Sequence, residues 1–179
     1  SLSPLAAEDP GTTHAGLVVS TASYTDVRYE ARMRTLKQLR SPKPNPWEVG
    51  WLVWNFTDNV HFYYFIAKPN GWELGKADPA YPGAQRFLAT GDAAKFPTGQ
   101  WYRVRAVQAG ATIQIFVNGK KTVDFSDGYL AGYLSIISAD PNLTSNESTA
   151  GKRIGVIQGM KHLPATFTPV IPPPTPGQM

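Results

Sequence analysis

The sequence of 179 residues contains no cysteine, so no disulfide can stabilise the fold and a packed core must do so. Charged residues make up only 17% of the chain. No stretch approaches the ~20 apolar residues that a membrane-spanning helix needs, so we expect no membrane span. Almost no segment shows the period of an amphipathic helix, which argues against a helical fold.

What the chain does contain favours strands and turns. Aromatic residues make up 12% of it, and glycine and proline number 16 each. The formal net charge of +4 mildly favours acidic partners. Lysine and arginine are scattered without a polybasic cluster, so we expect no nucleic-acid partner.

The length and the distribution of prolines predict a single domain with two appendages. Residues 1–13 lack periodicity and form an N-terminal arm. We expect the domain to span residues 14–163, and residues 164–179 to form a Pro-rich tail.

Alternation along the chain gives the secondary structure. Over residues 27–36 apolar side chains alternate with charged ones, and Arg32 and Arg34 lie on the charged face of this strand. Asn118-Gly119 predicts a type I′ hairpin turn, and residues 78–99 are predicted to be mostly loop, with one strand-like patch at 86–89. Further strands are predicted at residues 49–56, 60–68, 72–77, 101–109, 111–117, 121–125, 131–138 and 153–158. This pattern predicts an all-β fold, a two-sheet antiparallel β-sandwich of the jelly-roll kind.

One segment resembles a known superfamily. The run WYRVRAVQAGATIQIFVNGKKTVDF, residues 101–125, and the GYLAGYLSI that follows it resemble the closing half of concanavalin A-like lectin/glucanase domains. The likeness covers about residues 27–138. It is nearest to laminin-G-like modules and to the family 16-like 3-keto-disaccharide hydrolase domains. The resemblance implies a concanavalin A-like sandwich that recognises carbohydrate, secreted or at the cell surface.

The resemblance leaves an enzymatic alternative open. Family 16 enzymes carry an E-x-D-x-E strand, whereas Glu30 and Glu73 stand alone here, so hydrolysis would need carboxylates from different strands. Residues 61–71 also resemble a strand of jelly-roll alginate lyases, which implies acid, base and neutralising roles for His61, Tyr63 and Arg32. The Arg-Glu-Leu and Gln-x-His patterns of those lyases are missing.

Aromatic residues crowd the middle of the chain, and alternation turns them into a candidate site. If Phe62 and Tyr64 point into the core, His61 and Tyr63 point outward. We then expect these two, with Trp51 or Trp54, to share an exposed concave face with the two arginines, although such aromatics are often core residues and charge on an edge strand often only blunts it. The candidate glycan-binding residues are Arg32, Arg34, Trp51, Trp54, His61, Tyr63, Trp72 and Glu73.

Acidic side chains suggest one metal site. Asp124 with Asp127, or the acidic loop at residues 140–147, offers oxygen ligands for a structural Ca²⁺. We expect no other cofactor. The sequence as a whole predicts a secreted, lectin-like domain that binds a polysaccharide, and the alternative is a glycoside hydrolase or polysaccharide lyase acting in the same groove.

Overall fold

The computed structural model describes residues 15–24 and 26–127, together with the backbone of residues 153–158. This part of the chain is almost entirely β-structure, and its one helical element is a short 3-10 turn at Pro82–Ala84. None of its helices is long and apolar enough to cross a membrane. The strands are β1 (Gly16–Val19), β2 (Val27–Met33), β3 (Gly50–Asp58), β4 (His61–Lys68), β5 (Gly71–Ala77), β6 (Gln85–Gly91), β7 (Tyr102–Ala109), β8 (Thr112–Val117), β9 (Lys120–Ser126) and β10 (Arg153–Gln158).

The strands form two antiparallel sheets. The first has six strands in the order β1-β10-β3-β4-β5-β6, and the second has four in the order β2-β7-β8-β9. Every strand pair is antiparallel. The predicted two-sheet antiparallel β-sandwich is therefore confirmed.

The main core lies between the sheets. It joins side chains of both, with Leu52, Phe65 and Leu74 from the six-stranded sheet meeting Ile113 and Ile115 from the four-stranded one. All five are at most 1% exposed. Alternate side chains of the four-stranded sheet point into this core, as the pattern at residues 27–36 predicts. The intervening side chains of β2 are exposed.

A second apolar cluster covers the other face of the six-stranded sheet, which we call its outer face. It contains Trp51 and Val53 of β3 and Phe62, Tyr64 and Ile66 of β4, each at most 2% exposed. Both faces of these two strands are thus buried. This explains why residues 49–56 and 60–68 are continuous apolar runs rather than alternating ones.

The hairpin between β8 and β9 turns where the sequence predicts. Asn118 and Gly119 both have positive φ, 52° and 85°, as a type I′ turn requires. The Asn118 backbone N–H donates to the Arg103 carbonyl at 2.8 Å, and the Asn118 side-chain oxygen accepts from the Arg103 N–H at 2.9 Å. These bonds tie the turn to the neighbouring strand β7.

The structure differs from the prediction at residues 78–99, and several other predicted segments lie outside the described residues. The region at residues 78–99 contains a longer strand than predicted, since β6 covers seven residues and forms the edge of the six-stranded sheet. The N-terminal arm, the strand at 131–138, the acidic loop at 140–147 and the Pro-rich tail lie outside the described residues.

Candidate functional site

Arg32 and Arg34 lie on the exposed side of the four-stranded sheet. Their guanidinium carbons sit 5.2 Å and 4.8 Å from the ring centroid of Trp101, just before β7. The Trp101 side chain is 51% exposed. Two cations and an open aromatic ring therefore meet at this surface, and Trp101 is not among the predicted glycan-binding residues.

Trp54 and Tyr63, by contrast, point into the core between the sheets. They are 0% and 7% exposed, and their rings stack with centroids 6.0 Å apart. The Trp54 indole N–H donates to Gln108 Oε1 at 2.6 Å. The prediction that these side chains share an exposed face with Arg32 and Arg34 is wrong. Because β4 is apolar on both faces, alternation alone could not decide which face meets the other sheet.

Two other candidates have structural partners. His61 Nδ1 lies 2.8 Å from Asp58 Oδ2 at the end of the β3–β4 hairpin. The Trp72 ring stacks on Phe65, with centroids 6.3 Å apart. The acid, base and arginine implied by the lyase resemblance are not brought together, since His61 lies at a hairpin, Tyr63 in the core and Arg32 on the other sheet.

Trp51 and Glu73 do share a surface, the outer face of the six-stranded sheet. Trp51 and Glu73 both stand opposite Ile66, across the β3–β4 and β4–β5 pairings respectively. The Trp51 ring packs on Tyr64 with centroids 4.6 Å apart. Both side chains are buried on this face, at 1% and 6% exposure.

A connected polar network surrounds Glu73. The Tyr64 hydroxyl donates to Glu73 Oε1 at 3.0 Å, and the Lys68 ammonium donates to Glu73 Oε2 at 2.9 Å. The Gln85 side-chain amide donates to the Tyr64 hydroxyl. Amide, phenol, carboxylate and ammonium thus form a chain across strands β4, β5 and β6.

Glycine makes this network sterically feasible. Gly75 stands directly opposite Tyr64, and a Cβ added there would lie 2.2 Å from the Tyr64 hydroxyl oxygen. Only a residue without a side chain leaves room for the ring to reach Glu73.

This network is largely buried, with Tyr64 at 0% and Glu73 at 6% exposure, and exposed side chains of the edge strand β6 lie beside it. Phe87 pairs with Gly75 and is 60% exposed, and Thr90 pairs with Glu73 and is exposed too. We call this group the β5–β6 site; its members are Lys68, Glu73, Gly75, Gln85, Phe87 and Thr90. The prediction of mostly loop at residues 78–99, with a strand-like patch at 86–89, left Gln85 and Thr90 outside any predicted strand. The useful signal was the alternation of Gln85 and Phe87 with Arg86 and Leu88.

A separate polar cluster lies inside the sandwich. Lys76 Nζ is 3.4 Å from Asp127 Oδ2 and 3.8 Å from Asp78 Oδ2, and the Tyr63 hydroxyl donates to Asp127 at 2.8 Å. Lys76, Asp78 and Asp127 are at most 8% exposed. Burial, and then the Asp127 charge, raise the pKa of Tyr63 above its ordinary value. Burial likewise raises the pKa of Tyr64, with Glu73 adding to the effect.

The carboxylates proposed as calcium ligands have separate partners. Asp124 is exposed and pairs with Lys121, which lowers the Asp124 pKa by hydrogen bonding, whereas Asp127 is buried against Tyr63 and Lys76. Among the described residues, no three His, Cys, Asp or Glu side chains group as metal ligands do.

Comparison with known proteins gives matches of structure but not of sequence. No family model matches the chain. No curated protein matches it either. A family 66 carbohydrate-binding module from Bacillus subtilis superposes with a TM-score of 0.56 at 14% identity, over 83% of this chain and 76% of that one. This likeness supports the β-sandwich fold.

Two further solved structures show weaker likeness. Sheep galectin-11 in complex with glycerol gives a TM-score of 0.47 at 14% identity, covering 82% of this chain and 95% of its own. An endo-acting O-glycanase structure from the human gut microbiota gives 0.46 at 12% identity, covering 90% of this chain and 67% of its own.

Proposed function

We propose that this protein is a carbohydrate-binding domain and that it binds a glycan at the β5–β6 site. The observation that carries the proposal is the solvent-exposed Phe87 ring next to a continuous network of four polar side chains. Ligand sites commonly combine an apolar surface with a few fixed polar groups in this way.

The chemistry of the site suits sugar hydroxyls, which both donate and accept hydrogen bonds. The Glu73 carboxylate, at 6% exposure, accepts two bonds within the protein and so holds Tyr64 and Lys68 in place beside the exposed edge strand. Lys68 and Gln85 supply N–H donors, and Thr90 supplies a hydroxyl. Phe87 offers the flat apolar ring on which the C–H face of a pyranose packs.

The network also fixes these groups before a ligand arrives. Tyr64 and Lys68 hold Glu73 from both sides. Little side-chain entropy is therefore lost at Glu73 when a ligand binds. Likeness of fold to a carbohydrate-binding module gives further support by analogy of fold. A location outside the cytoplasm, where polysaccharides are met, belongs to the same proposal.

A glycan-array screen followed by calorimetry tests the proposal. For the best glycan of the screen, Phe87→Ala should weaken binding by about 1 to 2 kcal/mol, roughly 5- to 30-fold, as for exposed aromatic contacts elsewhere. Leu36→Ala is the matched control, because Leu36 is 65% exposed and lies outside the site. A reducing-end assay on the same mixtures reports any hydrolysis.

A polar variant provides a second readout. Glu73→Gln keeps the shape of the side chain but removes the charge, and it should weaken glycan binding while an unchanged circular dichroism spectrum shows that the fold persists. Equal affinities for wild type, Phe87→Ala and Glu73→Gln would overturn the β5–β6 site.

A further inference from the structure

The four-stranded sheet carries a second surface of different chemistry, on the opposite side of the sandwich from the β5–β6 site. Arg32 of β2 stands directly opposite Arg103 of β7, and both side chains are exposed. Like charges directly opposite one another destabilise a sheet. The fold therefore maintains an unfavourable arrangement here.

Carboxylates of the described residues neutralise the positive charge of this cluster only in part. Glu30 lies 3.4 Å from the guanidinium of Arg103, an exposed pair of little energetic weight. Within the described residues, Arg32 and Arg34 form no ion pair with a carboxylate. Two guanidinium groups without a carboxylate partner in the described part of the chain thus stand side by side at the end of β2.

Trp101 holds these guanidinium groups in place. Both lie within 5.2 Å of its ring centroid, a distance at which the negative face of an indole attracts a cation. A guanidinium held against a ring keeps its N–H edge available for a carboxylate or sulfate oxygen. The ring therefore orders two arginine side chains that would otherwise lose conformational entropy when a ligand binds.

We propose that Arg32, Arg34 and Trp101 form an acid-binding site that holds the carboxylate or sulfate groups of an acidic polysaccharide. This site is separate from the β5–β6 site and does not depend on it. A bound anion would relieve the repulsion between Arg32 and Arg103 that the unliganded sheet carries.

The size of the positive surface favours an acidic glycan over a nucleic acid. Side chains two positions apart on a strand are about 6.6 Å apart, so Arg32 and Arg34 span one or two acidic groups. Glu30, two residues before Arg32 on the same face, ends the positive surface, which is therefore too short for the several phosphates that a nucleic-acid site contacts.

The test measures affinity for four probes in low salt: polygalacturonate, dextran sulfate, neutral dextran and single-stranded oligothymidylate. Arg32→Gln and Arg34→Gln should each weaken binding of polygalacturonate or dextran sulfate by about tenfold, the loss typical of a charge-assisted contact. Arg28→Gln is the control, because Arg28 is exposed on the same strand and face but faces Val107 rather than another arginine. Preference between the first two probes identifies carboxylate or sulfate as the acid.

The fold provides an independent readout. Arg32 is exposed, so Arg32→Gln should change the melting temperature little, and a loss of binding then cannot be blamed on unfolding. The proposal is overturned if neither acidic polysaccharide binds, if Arg28→Gln loses as much affinity as Arg32→Gln, or if oligothymidylate binds more tightly than both. Phe87→Ala leaves this site intact and separates its failure from that of the β5–β6 site.

Discussion

Lys76 is a cation enclosed in the sandwich, at 5% exposure, with the carboxylates of Asp127 and Asp78 as neighbours. An ammonium that loses its partner in such a place keeps the cost of desolvation without the compensating attraction. The two aspartates are therefore structural, and they balance a charge that the core could not otherwise contain.

Replacing Asp127 by alanine should consequently destabilise the protein strongly. We expect a loss of about 2 to 4 kcal/mol in the free energy of unfolding, since a carboxylate partner of a buried charge is removed. Asp124→Ala is the control, an exposed aspartate whose pair with Lys121 should contribute less than about 1 kcal/mol. Urea denaturation of both variants decides the matter, and similar losses would show that burial of the cluster is misassigned.

The close approach of Gly75 to Tyr64 predicts how a larger residue at position 75 would affect the β5–β6 site. Gly75→Ala places a methyl group 2.2 Å from the Tyr64 hydroxyl and should cost about 1 to 3 kcal/mol through overpacking. The displaced Tyr64 would also release Glu73, so glycan affinity should fall. In a Tyr64→Ala background the same change should cost less, with a remaining cost from the Arg86 carbonyl oxygen 2.9 Å from the added carbon, and fully additive losses in this double-mutant cycle would contradict the contact.

At the scale of elements, the β8–β9 hairpin depends on its turn. Gly119 has φ of 85° with open space around it, so any penalty for a side chain there comes from the backbone alone. Gly119→Val should cost about 1 to 2 kcal/mol, whereas Gly119→Asn should cost clearly less because asparagine tolerates positive φ. Thermal melts compare the two variants, and equal melting temperatures would argue against the type I′ turn.

The elements also show what the sequence alone could predict. Strand β2 and the β7–β8–β9 meander were predictable, because one face of each strand is exposed and Asn118-Gly119 fixes the register. The faces of β4 were not, since Tyr63 and Tyr64 are both buried, one against each side of the sheet.

The site was less predictable than the fold for a related reason. Glu73 and Trp51 were recognised as candidates, but their relation depends on pairing across β4, which no local pattern reveals. Trp101 was not predicted for the same reason, since only the pairing of β2 with β7 brings it next to Arg32.

For the whole molecule, buried tyrosines set the response to alkaline pH. Burial raises the pKa of Tyr29 to about 12, and it raises those of Tyr63 and Tyr64 as well. In the unfolded chain these phenols ionise near pH 10, so they stabilise the fold fully below that pH. Their contribution is lost as the pH rises above it, toward the folded-state pKa values.

The free energy of unfolding should therefore fall steeply between about pH 10 and 12, with each neutral buried tyrosine contributing roughly 1.4 kcal/mol per pH unit. Tyr63→Phe should reduce the pH dependence of the free energy of unfolding by the contribution of one buried tyrosine. Urea titrations across this range measure it. A flat profile, or a slope unchanged in Tyr63→Phe, would show that these phenols ionise as readily in the folded protein as in the unfolded chain.

Glycan binding on the six-stranded sheet and recognition of acidic groups on the four-stranded one would give the protein two binding faces. The most direct measurement maps amide chemical shifts of ¹⁵N-labelled protein on addition of the best neutral glycan. We predict the largest changes at residues 73–76 and 85–91, and their loss in Phe87→Ala. Changes confined to other strands, or unaltered by Phe87→Ala, would contradict the β5–β6 site.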